Sequence, residues 1–151
     1  MTLQNLLQEH TQDIFSQAYA NLGRAPLKNY AHAGAKQTQQ RLLTLYELVR
    51  GCVAEKKLAP IIAHAETIAR ERFESGFELW EVQTAFNVLE EAIWQRVLQE
   101  LPPQQYAEAL GLVSTVLGAG KDALACTYVS LAAQNKMPAL NLPSLFSGTE
   151  R

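Results

Sequence analysis

The chain has 151 residues, nearly half of them apolar, and a formal charge of -2 at pH 7. This size and apolar content suit one domain with a real core and exclude a disordered chain. The near-neutral balance also argues against bulk electrostatic attraction to nucleic acid or to an anionic membrane.

The two cysteines, Cys52 and Cys126, fall on different expected helices and read as small core residues rather than a disulfide. The opening MTLQNLLQEHTQD has no basic stretch leading into a long apolar run, so no signal peptide is expected. No segment reaches about 18 uninterrupted apolar residues, so no transmembrane helix is expected either. The chain reads as cytoplasmic.

Helical period runs through almost the whole sequence. Thr2 is placed to cap a first helix reaching Leu22, with Leu3, Leu7, His10, Ile14 and Ala18 on one stripe. His10 reads as a half-buried histidine hydrogen-bonded to a neighbouring helix rather than as a ligand. Gly23 and Arg24-Ala25-Pro26 should end this helix. Residues 27–35, with Tyr30, His32 and Gly34, read as a connection. A second helix is expected over Lys36–Lys57, with Leu42, Leu45, Tyr46, Val49, Cys52 and Val53 inward. Lys56 and Lys57 suit its negative end.

Pro60 suits the first turn of a third helix, where a missing N–H costs nothing. Ile61, Ala65, Ile68, Ala69 and Phe73 face inward, while Arg70, Glu71, Arg72 and Glu74 read as a solvated charged face. Gly76 is expected to stop this helix in the left-handed conformation. Phe77 follows as a core anchor, and Leu79 as the first seam residue of a fourth helix over Glu78–Glu100. That seam continues through Val82, Phe86, Leu89, Ile93 and Val97 at steps of three and four. Trp80 and Trp94 fall off it, and an exposed tryptophan would mark an interface.

Pro102-Pro103 closes the fourth helix and opens a last one over Pro103–Gln134. Its main face carries Tyr106, Leu110, Val113, Leu117, Leu124 and Leu131, widened by Val116, Ala123 and Tyr128. Glycine inside a helix costs up to about 1 kcal/mol relative to alanine, so Gly111, Gly118 and Gly120 ask for close backbone approach or a kink. Gly111, Gly118, Leu124, Tyr128 and Leu131 are therefore the candidate homodimer face, or the wall of an apolar pocket. Residues 1–135 read as one helical domain. Residues 136–151 read as a tail or linker whose Leu140, Leu142, Leu145 and Phe146 would pack on the domain or on a neighbour. The fold class is all-α, a bundle of about five helices.

Catalytic and metal motifs are missing. The histidines are His10, His32 and His64, with no HExxH and no CxxC, and Glu90 and Glu91 have no histidine three residues on. GxSxG, GxxxxGK and GxGxxG are absent as well. No basic stripe interleaved with aromatics exists, and residues 70–100 are net acidic, against nucleic-acid binding. No catalytic residue, metal ligand or cofactor is expected, and the chain is not read as an enzyme. The alternative is a haem-binding globin-like sensor, for which His64, near Ile61, Ile68 and Phe73, is the best ligand candidate. His64 sits only one turn into its helix, at the border of the polar side, which favours a boundary histidine.

The run Arg70-x-Arg72, then Glu74-Ser75-Gly76-Phe77-x-Leu79-x-Glu81-Val82, followed by Phe86 and Trp94, resembles the N-terminal domain of RsbT co-antagonist (Rsb-type) regulators. The resemblance covers mainly Ile61 to Val129. It implies an all-helical sensory or regulatory module of stress or two-component signalling, related in some members to globins that have lost haem. Such modules usually precede a further domain, whereas this sequence stops at Arg151, as expected of a stand-alone regulator or a piece of a longer protein. A homodimeric, non-catalytic signalling domain with a protein partner is the first expectation, and a small-molecule or haem sensor the second.

Overall fold

The computed structural model describes residues 1–25 and 34–140, and side chains up to residue 134. Among these residues it contains six α-helices, one 3₁₀ turn and no strand. The helices are α1 Leu3–Glu9, α2 Thr11–Arg24, α3 Ala35–Glu55, α4 Ala59–Glu74, α5 Leu79–Glu100 and α6 Tyr106–Leu140, with the 3₁₀ turn Pro103–Gln105 before α6. The fold is all-α. The expected connection at 27–35 falls largely outside the described residues, as do Pro26, Tyr30, His32 and the tail beyond 140.

Helix α6 packs most extensively on α4 and on α5, and α2 lies along α5. Helix α3 touches every other helix and closes the bundle. The seam residues Val82, Phe86, Leu89, Ile93 and Val97 of α5 are all buried, joined by Ala92 and Val88. At about 25 cal/mol per Å² of apolar surface, such continuous burial is the main source of stability.

Three features depart from the sequence reading. The expected first helix divides at His10, which leaves helical geometry at φ -106 and ψ 23. The cause is at the Leu7 carbonyl, which accepts the Thr11 hydroxyl at 2.9 Å and the buried Tyr46 hydroxyl at 2.5 Å. Side-chain donors compete there with the regular backbone ladder. His10 itself is half-buried, with Nε2 3.9 Å from a Glu100 carboxylate oxygen on α5. Second, α6 runs on to Leu140, past the expected boundary at 135. Third, the two cysteines part ways: Cys52 is buried and Cys126 is exposed.

The glycines of α6 behave unequally. A Cβ on Gly111 or Gly118 would meet nothing within 4 Å, whereas one on Gly120 would lie 2.8 Å from Phe86 Cε2 and 3.1 Å from Ile61 Cγ1. Close approach therefore explains Gly120 and not the other two. It marks where α4 and α5 both press on α6.

Candidate functional site

The joint between α4 and α5 is built from two matched caps. Gly76 has φ +85, its N–H donates to the Phe73 carbonyl at 3.2 Å, and the Phe77 N–H donates to the Arg72 carbonyl at 2.9 Å. That paired pattern is a Schellman ending, which satisfies carbonyls that would otherwise be orphaned. Helix α5 then opens on a capping box. The Glu81 carboxylate accepts the Glu78 N–H at 3.0 Å while the Glu78 side chain caps the Glu81 amide. Phe77 is buried between these caps, its carbonyl accepting the Tyr128 hydroxyl at 3.1 Å. Leu79, the first residue of α5, is half-buried.

Charge is drawn inside at this joint. Arg72 is 4% exposed and Glu81 1%, a correction to the reading of residues 70–74 as a solvated face. Arg70, Glu71 and Glu74 do face outward. The guanidinium carbons of Arg41 on α3 and Arg72 on α4 lie 5.8 and 5.9 Å from the centre of the Phe77 ring. Both distances fall within cation–π range. Arg72 Nη1 also lies 3.5 Å from a Glu71 carboxylate oxygen.

Beside this cluster a cavity of about 280 Å³ opens between α3, α4 and α5. Its apolar floor includes Leu42, Leu45, Ile68, Val82 and Phe86; its polar wall includes Thr38, Arg41, His64, Glu71 and Arg72. His64 is thus brought to a cavity, half-buried among mixed neighbours. Burial lowers its pKa, the positive charge of Arg72 lowers it further, and Glu71 partly opposes them. Among the described residues no group of three His, Cys, Asp or Glu side chains could hold a metal ion.

The expected interface residues are dispersed. Leu124 and Tyr128 are buried within the chain's own core, because α4 and α5 cover that face of α6; Phe73 meets the Tyr128 ring edge-on at 5.6 Å. Within the chain these two are core residues, with little surface left over. Gly118 and Leu131 are half-buried, and Gly111 is exposed. The exposed aromatic surface lies instead on α5, where Trp80 is 51% and Trp94 47% exposed. With Leu98 they recur at steps of 14 and 4 residues, close to whole turns of a 3.6-residue helix. Trp94 borders a shallow polar groove with Asn87, Glu90, Glu91, Ser114 and Lys121. There Lys121 Nζ bridges Asn87 at 3.1 Å and Glu90 at 3.2 Å.

The profile of the RsbT co-antagonist protein RsbRD N-terminal domain family matches residues 5–134. The chain belongs to this family. The match takes in α1 to α3 as well as the joint, so it is wider than the Ile61–Val129 stretch that carries the sequence motif. The RsbRD family is one of stress-response signalling regulators rather than of enzymes. No curated protein and no solved structure matches the chain. Pro103–Gln134 is long and apolar enough, by length and composition alone, to cross a membrane. One such helix is weak evidence for a span, and its core-facing residues Val113, Val116, Leu117 and Leu124 are buried against the chain's own helices.

Proposed function

We propose that residues 1–135 form a non-catalytic, cytoplasmic regulatory domain that works as a homodimer and passes a stress signal to a protein partner. The observation that carries this reading is the exposure of Trp80, Trp94 and Leu98 on one face of α5. Tryptophan is enriched where partners make their strongest contacts. Gly111 adds an exposed, side-chain-free position on α6, the helix against which α5 packs. The dimer face is therefore drawn across α5 and the first turns of α6 rather than along Leu124 and Tyr128.

Sedimentation equilibrium of the full chain tests this. A dimer that becomes monomeric in Trp94→Glu, with an unchanged helical spectrum, supports the reading. A monomer throughout, at concentrations up to about 100 μM, refutes it.

A further inference from the structure

The cavity between α3, α4 and α5 sets an apolar floor of Leu42, Leu45, Ile68, Val82 and Phe86 against polar groups that are mostly engaged already. The Thr38 and Thr44 hydroxyls donate to the Gly34 and Gln40 carbonyls one turn back, at 3.0 and 2.9 Å. The charges of the joint balance, with Arg41 and Arg72 against Glu71 and the buried Glu81. Arg72 lies beside Glu71, both guanidiniums flank the Phe77 ring, and Arg41, Arg72 and Glu81 carry further interactions. The joint thus offers an ion no net charge. His64 differs. It is half-buried on the cavity wall and hydrogen-bonds no described residue through its ring. Burial and the Arg72 charge lower its pKa from 6.5, with Glu71 opposing in part. The ring is therefore neutral at pH 7, with one N–H donor and one bare nitrogen acceptor.

We propose that this cavity binds a small neutral molecule, an apolar ring bearing a hydroxyl, with the ring resting on Ile68, Val82 and Phe86 and the hydroxyl hydrogen-bonded to the His64 imidazole. The volume sets the size of the ring. An apolar cavity of about 150 Å³ takes a benzene ring, and the 280 Å³ here leaves room for a ring and its hydroxyl. Side chains lining a void lack packing partners on that side, and a ring of matching size supplies them. A hydroxyl suits a neutral imidazole because each can donate and accept, so either tautomer finds a partner. A carboxylate would have to shed its water with no net positive charge to receive it. A wholly apolar molecule would fill the floor and leave the half-buried imidazole without a hydrogen bond.

Phenol is the probe, titrated into the full chain by calorimetry, with toluene and benzoate as its apolar and anionic counterparts. One saturable phenol site is expected, with benzoate binding at least about tenfold more weakly. In His64→Leu the affinity for phenol relative to toluene should fall about tenfold. That ratio separates the hydrogen bond from packing, because a change in cavity shape alone moves both molecules together. Ala85→Leu, which fills the cavity from α5 and touches no polar group of the wall, should abolish phenol binding while keeping the helical spectrum, so the test survives if the histidine variant fails to fold. No saturable phenol site by about 10 mM, benzoate binding as tightly as phenol, an unchanged phenol-to-toluene ratio in His64→Leu, or undiminished binding to Ala85→Leu would overturn the proposal.

Discussion

Replacing Gly120 by alanine isolates the tightest contact in the bundle. The added methyl would lie 2.8 Å from Phe86 Cε2, 3.1 Å from Ile61 Cγ1 and 3.4 Å from Ile61 Cδ1. Carbon atoms sit best at about 3.5–4.0 Å, so the ring contact is short by roughly 0.7 Å or more. Phe86 and Ile61 are both buried, so neither can swing into solvent. Overpacking of this kind costs about 1–3 kcal/mol. Alanine also favours the helix by up to about 1 kcal/mol over glycine. Gly118→Ala carries the same helix gain with nothing within 4 Å of the new methyl. The difference between the two variants therefore reports the contact alone. Urea unfolding should place Gly120→Ala about 1–3 kcal/mol below Gly118→Ala, and Gly118→Ala at or above the parent. In a domain of this size each kcal/mol moves the melting midpoint by about 2–4 °C. Adding Phe86→Leu should cancel part of the Gly120→Ala loss, a coupling measurable in a double-mutant cycle. Equal stability of the two alanine variants would refute the close approach of α4 and α5 to α6 at this residue.

Two further predictions concern titration. Tyr46 donates to the Leu7 carbonyl at 2.5 Å, and burial raises its pKa above the ordinary 10.0. A raised folded pKa means that the folded state holds the proton longer, so stability is intact below the unfolded pKa and falls as pH rises through the folded one. Tyr46→Phe should cost about 0.5–1.5 kcal/mol at neutral pH and flatten the alkaline limb of an unfolding series above about pH 10; an unchanged limb would contradict the buried phenol. The His64 pKa is lowered from 6.5 by burial and by Arg72. Its contribution is present above the unfolded pKa and fades as pH falls below 6.5 towards the folded value. His64→Gln should be less sensitive to acid than the parent over that range, and an identical acid limb would place the histidine in solvent.

The sequence by itself determined the helices and several of their inward faces. The steps of three and four from Leu79 to Val97 require a buried seam whatever covers it, and Gly76 is the residue that most cheaply takes φ +85. The Gly-Phe-x-Leu-x-Glu run also carried the family. It could not say what covers each face. The periodicity that makes Leu124 and Tyr128 inward is the same whether the partner is a second copy or α4, and the tertiary structure chose α4 and α5. Arg72 reads as solvated because helical spacing alone matches it to glutamates in water. In the folded chain Arg72 is buried instead, beside the Phe77 ring that Arg41 of α3 also approaches. Likewise the break at His10 needs a hydroxyl from Tyr46, 39 positions away, on the Leu7 carbonyl. Local spacing encodes which residues leave water. The cavity wall of Arg41, His64 and Arg72 depends on how separate helices cross, a property of several segments at once that no single stretch contains.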